Sequence, residues 1–188
     1  MARSMVERVA AIGTRDVGGT FYRHAAPNRD AFAGATLGRW GDTFPVIYLG
    51  RPPDSVTVEA YRHLVEPLGL SPSAIQPRTL YTVTVNARLL LDLTIAANRK
   101  ALGLTDGDLT TDVDDYARCQ DVARAAHRLQ LHGILAPAAT GLGETLALFA
   151  RHITSEERPV VTDQVLWATL PADPRKPRAV GRSVGGSR

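Results

Sequence analysis

Residues 38–60 contain three short motifs in a fixed order: Gly38-Arg39-Trp40-Gly41, then Val46-Ile47-Tyr48-Leu49-Gly50, then Val58-Glu59-Ala60. The middle motif is a short apolar run, which predicts a buried β-strand. Pro52-Pro53-Asp54-Ser55 follows it and is typical of a helix start, with Asp54 or Ser55 as the N-cap. The pattern therefore predicts a strand–turn–helix unit with Tyr48 at a strand end and Glu59 about one turn into the helix.

The side chains of these motifs fit the chemistry of a dinucleotide. Two guanidinium groups can hold a diphosphate bidentately. One belongs to Arg39 and the other to Arg23, in the upstream run Phe21-Tyr22-Arg23-His24. The face of Tyr48 can stack on a flat heterocycle. Glu59 can accept hydrogen bonds from ribose hydroxyls and stabilise positive charge at an anomeric carbon. Together these roles fit NAD cleaved at its N-glycosidic bond.

Later motifs continue the pattern in the same order. They are Tyr116-Ala117-Arg118-Cys119-Gln120-Asp121-Val122-Ala123, His132-Gly133-Ile134-Leu135-Ala136-Pro137-Ala138-Ala139 and Leu146-Ala147-Leu148-Phe149. Over residues 19–149 this order resembles the RES family, toxins of bacterial toxin–antitoxin pairs that destroy NAD and are named for an Arg, a Glu and a Ser. The chain departs from the family at one position, because Ala138 stands where a Ser usually follows the Pro.

The resemblance implies roles for individual residues. Glu59 and Arg23 would be catalytic, and the substrate-binding positions would be Arg23, Arg39, Tyr48, Ala138 and Thr140. NAD would be a substrate, so no cofactor is expected. The Thr140 hydroxyl could replace the missing Ser hydroxyl if the strand stays extended for two more residues. The alternative is that Thr140 only begins the turn into Gly141-Leu142-Gly143.

The resemblance also implies a function and a partner. The chain would cleave the nicotinamide–ribose bond by phosphorolysis or hydrolysis and be neutralised by an antitoxin with an Xre-type helix-turn-helix. Either a homodimer or a toxin–antitoxin heteromer would be its assembly. Three alternatives remain open at this stage: an ADP-ribosyltransferase that modifies a protein, a catalytically weakened RES-fold binding protein, and a nucleic-acid-binding module that uses the basic tail.

Composition favours one domain with a short tail. The 188 residues are 44% apolar and 22% charged, which is ordinary for a globular domain. Five basic residues and one Asp lie in 171–188, so the remainder of this +3 chain carries one net negative charge. We therefore expect a single RES-like domain over 1–170 and a basic, disordered tail over 171–188, with nucleic acid reached only through the antitoxin.

Other classes of protein lack support in the sequence. Glu7 and Arg8 interrupt the N-terminal apolar run, and no run is long enough to span a membrane, so we expect a cytoplasmic protein without membrane association. The five His residues lack metal-ligand spacing, and no metal site is expected. No Gly-x-Gly-x-x-Gly motif joins a strand to a helix, so NAD would not be bound in the Rossmann manner.

The rest of the chain alternates short strands and helices. Strands are predicted at 20–24, 79–85, 132–137, 145–149 and 160–170, a second strand or a packed turn at 89–93, and helices at 96–102 and 115–130. Residues 106–115 form a predicted acidic loop whose spacing is not that of an EF-hand. The pattern predicts an α+β fold, and the resemblance specifies a compact split β-sheet domain with flanking helices, similar to ADP-ribosyltransferases.

Overall fold

Six β-strands form one mixed sheet in the computed structural model, which describes residues 3–111 and 115–176. The strands are β1 Arg15–Ala25, β2 Val46–Arg51, β3 Arg78–Asp92, β4 Gly133–Pro137, β5 Glu144–Phe149 and β6 Val160–Trp167. They lie in the order β1-β2-β5-β4-β3-β6, and β1 also pairs with β3. The extra pairing closes the first five strands into a ring, and β6 extends it beside β3.

Nearly all neighbouring strands of the ring run antiparallel. β1 and β3 pair antiparallel over nearly all of β1, from Arg15 opposite Leu90 to Ala25 opposite Thr79. β2 pairs antiparallel with β5, with Arg51 opposite Glu144, and only β3 and β4 run parallel. β2 leads directly into a helix, as the strand–turn–helix pattern predicts. Tyr48 is the third of six residues in β2 and Glu59 the seventh of eight in that helix, so their predicted positions at a strand end and one turn into the helix are wrong.

The described residues include five α-helices beside the sheet: α1 Met5–Ala10, α2 Pro53–Ala60, α3 Ala96–Leu102, α4 Asp106–Thr110 and α5 Ala117–Arg128. α3 ends as predicted, because Gly103 adopts a left-handed conformation with φ 74° that suits glycine. The predicted N-cap of α2 is wrong: Pro52 is the cap residue, and Asp54 and Ser55 lie inside the first turn. Pro53 at the first helical position needs no amide partner, so the helix starts two residues earlier than a side-chain cap would require.

The α+β prediction is confirmed, with differences in element length. The predicted strand at 79–85 and the predicted strand or packed turn at 89–93 are one continuous strand, because β3 pairs with β1, β4 and β6 along its length. The acidic segment predicted as a loop contains α4, which a reciprocal capping box between Thr105 and Asp108 begins. Residues 112–114 lie outside the described residues, as do 177–188 of the predicted tail.

The hydrophobic core has three parts that share the sheet. One lies between the sheet and α1, α3, α4 and α5, and includes Trp40 and Phe149. The second fills the inside of the ring and comes almost wholly from strands, with Phe21 and Leu148 fully buried. The third lies under α2, where Trp167 and Leu170 pack against the helix. This cluster holds α2 against the end of β6 and the segment after it.

The segment after β6 continues along α2. The Tyr61 hydroxyl donates to the Pro171 carbonyl oxygen at 2.7 Å, and Arg175 pairs with Glu66 at 2.5 Å and with Asp173 at 2.8 Å. Residues 171–176 of the predicted tail thus contact the domain. Across residues 3–111 and 115–176, no helix combines the length and apolar character needed to cross a bilayer.

Candidate functional site

A recess of about 220 Å³ opens where β1, β2 and α2 meet. Its walls bring together three of the predicted site residues, Arg23 from β1, Tyr48 from β2 and Glu59 from α2. Tyr22, His24, Gly50, Val56 and His63 complete the lining. The β1–β2 pairing aligns Tyr22 with Gly50, so the strands present one continuous wall to the helix. An arginine, a phenol and a carboxylate therefore share one small space.

Glu59 is the carboxylate that lines the recess. No described residue donates a hydrogen bond to it, and His63 Nε2 lies 3.9 Å from its Oε1. Its side chain is 44% accessible and lines the recess. Burial raises the pKa of Glu59 above its ordinary value, and the charges of His63, Arg23 and Arg62 oppose the rise. The group is placed to respond to a positively charged ligand.

Arg23 has the complementary property, a cationic group with an unused donor. Its Nη2 donates to the Ala33 carbonyl oxygen at 3.1 Å, whereas its Nη1 is buried and has no partner among the described residues. Burial lowers the pKa of Arg23, and Glu59 and Asp30 counteract this. A buried donor without an acceptor is unfavourable, so an anion that supplied an oxygen would be stabilised here.

The loop 38–41 holds Tyr48 in place. The Trp40 amide donates to the Tyr48 hydroxyl oxygen at 3.0 Å, which leaves the phenolic proton free to donate. A Cβ at Gly38 would lie 2.6 Å from that oxygen, so the loop closes around the ring only because residue 38 is glycine. Gln120 of α5 donates to the Gly38 carbonyl oxygen at 3.0 Å and fixes the loop. Burial raises the pKa of Tyr48, which stays a neutral donor.

Arg39 is one of three predicted site residues that do not line the recess. Its two Nη atoms donate to the carbonyl oxygens of Asp108 and Thr111, the second at 2.7 Å, and its guanidinium lies 4.5 Å above the Tyr116 ring. Arg62 similarly donates to the carbonyl oxygens of Ala139 and Thr110. Both arginines are thus bound to backbone carbonyls near the end of α4. The charge of Arg39 contributes to lowering the pKa of Arg62, and the charge of Arg62 opposes the rise in the pKa of Glu59.

Ala138 and Thr140 also lie outside the recess lining. β4 ends at Pro137, and the amide of Gly141 donates to the Ala138 carbonyl oxygen, so the chain turns there instead of remaining extended. The prediction that the strand stays extended as far as Thr140, so that its hydroxyl could replace the Ser hydroxyl, is therefore wrong. The Thr140 hydroxyl lies 2.9 Å from the Ser55 hydroxyl and accepts from the Leu142 amide at 3.2 Å. It connects this turn to the first turn of α2.

His24 is a lining residue that the sequence analysis did not identify. Arg78 Nε donates to its Nδ1 at 3.2 Å, and the Trp167 ring stacks on it with centroids 6.2 Å apart. Burial and the charges of Arg78, His63 and Arg23 lower the pKa of His24 to about 3. The ring is therefore neutral near pH 7 and carries its proton on Nε2. The alternation of Tyr22 and His24 on one strand face was the signal available in the sequence.

The helix changes geometry directly after Glu59. Residues 61–65 form a π-helix, in which the Glu66 amide donates to the Tyr61 carbonyl oxygen at 3.0 Å. π-helical turns are rare and often lie at functional sites. Here the wider turn follows the carboxylate and places Arg62 toward α4, while His63 still lines the recess.

The arrangement can bind an anion and stabilise a cation in adjacent positions. Arg23 supplies the donor, Glu59 the negative charge and Tyr48 a neutral donor, and all three belong to elements fixed by the core. Cys119 is unsuited to nucleophilic chemistry there, because it is buried against α4 and burial raises the pKa of its thiol to about 11. Within the described ranges, no group of three or more His, Cys, Asp or Glu could hold a metal ion.

Comparison with known proteins gives a consistent set of matches. The RES domain family model matches residues 14–170. NAD(+) phosphorylase MbcT of Mycobacterium bovis and of Mycobacterium tuberculosis is 34% identical over 146 residues, covering 74% of this chain and 77% of each relative. The crystal structure of the M. tuberculosis MbcT–MbcA toxin–antitoxin complex matches with a TM-score of 0.75 and 29% identity, covering 88% of this chain and 93% of that chain.

Proposed function

The chain belongs to the RES domain family, and from this premise we propose that it is an NAD-degrading toxin that cleaves the nicotinamide–ribose bond. One observation carries the proposal: Arg23, Tyr48 and Glu59 converge on one recess, where Arg23 Nη1 and the Glu59 carboxylate both lack hydrogen-bond partners among the described residues. Phosphate is the proposed acceptor, since the Mycobacterium relatives are named NAD(+) phosphorylases. Water is the second candidate.

The proposed reaction moves one electron pair away from the sugar. The bond between the nicotinamide nitrogen and ribose C1′ breaks, its electrons neutralise the pyridinium ring, and C1′ acquires oxocarbenium character. An oxygen of phosphate then bonds to C1′, so the products are nicotinamide and ADP-ribose phosphorylated at that carbon. Glu59 stabilises the positive C1′, and its lack of hydrogen bonds leaves its charge available in the transition state.

The other predicted residues hold the substrate in this proposal. Arg23 binds an oxygen of the diphosphate through Nη1, and Tyr48 orients the nicotinamide ribose through its phenol. Arg39 can join the clamp only by exchanging its carbonyl partners on α4 for phosphate oxygens. Ala138 and Thr140 act indirectly, through the contact between their turn and α2. These proposed roles extend the predictions made from the sequence.

The partner in this proposal is an antitoxin with an Xre-type helix-turn-helix, encoded beside this chain and acting in the cytoplasm. The structural relative is a toxin bound to its antitoxin, MbcA, which supports a partner of this kind. The antitoxin would silence the enzyme by covering the recess. Any contact with nucleic acid would belong to the antitoxin.

The test is the fate of NAD with purified protein. We expect nicotinamide release and a phosphorylated ADP-ribose product that appears only when inorganic phosphate is present, both followed by mass spectrometry. Plain ADP-ribose at the same rate without phosphate would make the enzyme a glycohydrolase, and ADP-ribose attached to protein would make it a transferase. NAD that stays intact while it binds would indicate a binding protein on this fold, as Ala138 first suggested.

A further inference from the structure

A second recess of about 460 Å³ adjoins the first and shares Tyr22 with it. Its remaining walls come from β1, the end of β2, the start of α2 and the start of β5: Thr20, Arg51, Pro52, Pro53, Gly143 and Glu144. The first recess, at about 220 Å³, is smaller than a typical ligand pocket of about 300–1,000 Å³. A dinucleotide would therefore need further space beside it.

The two recesses follow each other along the same strands. Thr20, Tyr22 and His24 lie on one face of β1 because strand side chains alternate, and Thr20 to His24 spans about 13 Å. On β2, Gly50 lines the first recess and Arg51 the second. One extended ligand could thus pass Tyr22 with one end in each recess.

The second recess contains a carboxylate with one unused oxygen. Glu144 Oε2 accepts from Arg51 Nε at 2.8 Å and lies 2.6 Å from Arg51 Nη2, whereas no described residue donates to Oε1. The Arg51 guanidinium also lies 4.4 Å above the Phe21 ring, which fixes its position. The pair is only partly buried, with 32% of the Arg51 side chain and 30% of the Glu144 side chain accessible. Oε1 is a positioned acceptor in an otherwise largely apolar recess.

We propose that this second recess binds the adenosine half of NAD, and that Glu144 accepts a hydrogen bond from an adenosine ribose hydroxyl and so selects NAD over NADP. The inference rests on the proposed function and adds the residue that sets its dinucleotide specificity. Tyr22, Pro52 and Pro53 supply apolar surface for a purine. A carboxylate on the ribose hydroxyl is the usual means of preferring the unphosphorylated dinucleotide, and an arginine the usual means of accepting the 2′-phosphate.

The Arg51–Glu144 ion pair provides a specific test, because replacing its two members should have opposite effects on the preference for NAD over NADP. Glu144→Gln removes the charge that repels a 2′-phosphate and frees Arg51 to bind one. Arg51→Met leaves the Glu144 carboxylate in place and removes the only cation in the recess lining. A pair with a merely structural role would give the same result whichever member was replaced.

The experiment measures kcat/KM for NAD and for NADP with three variants. We expect Glu144→Gln to lower the NAD-to-NADP ratio at least about tenfold, a change of the size expected for one charge-assisted contact, mainly through KM. Arg51→Met should keep or raise that ratio. Glu156→Gln, which removes a charge from an exposed turn, should leave it unchanged. A shift of the same sign in Glu144→Gln and Arg51→Met, or none in either, would overturn the proposal.

Binding measurements separate this inference from the proposed function. Calorimetry with ADP-ribose and with nicotinamide mononucleotide requires no turnover, and thermal melts report whether each variant folds. Glu144→Gln should weaken ADP-ribose binding about tenfold and leave the mononucleotide unaffected. If the wild type bound both ligands as expected but cleaved no NAD, the proposed reaction would fail and the recess assignment would stand. Equal weakening for both ligands would remove the assignment and leave the reaction untouched.

Discussion

Glu157 and Glu59 are two glutamates with very different surroundings. Glu157, which is 2% exposed, accepts hydrogen bonds from the Thr154 and Arg88 amides and lies 2.8 Å from His132 Nδ1. These donors outweigh burial and hold its pKa at about 2. Glu59 has no donor among the described residues, and burial raises its pKa. The comparison teaches that donors convert a buried carboxylate into a structural anchor, and that a carboxylate left without them keeps its charge available for a ligand.

The largest effect expected from this contrast is on activity. Glu59→Gln should lower kcat for NAD cleavage by about 10²–10³, because the missing charge acts on the transition state. The fold should keep its melting temperature, since the variant also removes a poorly solvated charge. Glu66→Gln, seven residues further along and paired with Arg175, is the matched control and should retain full turnover. Normal turnover in Glu59→Gln would break the comparison and remove Glu59 from the mechanism.

The corresponding change at Glu157 should act on stability instead. A pKa of about 2, below the unfolded value of 4.5, corresponds to about 3 kcal/mol of folding free energy. That contribution is complete above pH 4.5 and is lost as the pH falls toward 2. Urea unfolding of Glu157→Gln should therefore show a loss of this order at pH 7 that shrinks below pH 4.5. If the variant matched the wild type at both pH values, the donors around Glu157 would not be stabilising it.

The pH dependence of NAD cleavage offers a finer test. Glu59 must be ionised to act, so activity should fall about tenfold per pH unit below its folded pKa, which lies above 4.5. His24, with a pKa of about 3, stays neutral across this limb and does not contribute to it. The measurement is kcat/KM against pH, with circular dichroism at each point to exclude unfolding. An acid limb centred below pH 4.5 would contradict the assigned environment of Glu59.

The smallest effect concerns the turn after β4. Ala138→Ser should raise NAD cleavage less than tenfold, because one neutral hydroxyl contributes about 1 kcal/mol and residue 138 lies outside the recess lining. Thr140→Val removes the contact with Ser55 and should lower cleavage by a similar factor. Initial rates for both variants, each compared with the wild type, measure this. A change of a hundredfold or more in either would mean that the turn reaches the substrate directly.

Local patterns were enough to predict much of this architecture. The apolar run before Gly50 predicts a strand, and the two prolines after it predict a helix start. Gly103 predicts the end of α3. Each of these signals lies next to the feature that it predicts. The convergence of Arg23, Tyr48 and Glu59 also followed from their motifs. The partners of Arg39 did not, because α4 lies about 70 residues further along the chain. The environment of His24 likewise depends on Arg78 and Trp167, which only the closed ring brings together.

The π-helix after Glu59 has a consequence for comparing lengths of related chains. A π turn accommodates one more residue than an α turn, so deletion of a single residue within 61–65 would restore regular α-helix without moving Glu59. The positions beyond the deletion would keep their orientation, because the π turn absorbs the extra residue. We therefore expect one-residue gaps to collect at this point when family sequences are aligned. An alignment that forces residues 61–65 to be gap-free would assign Arg62 and His63 to the wrong equivalents.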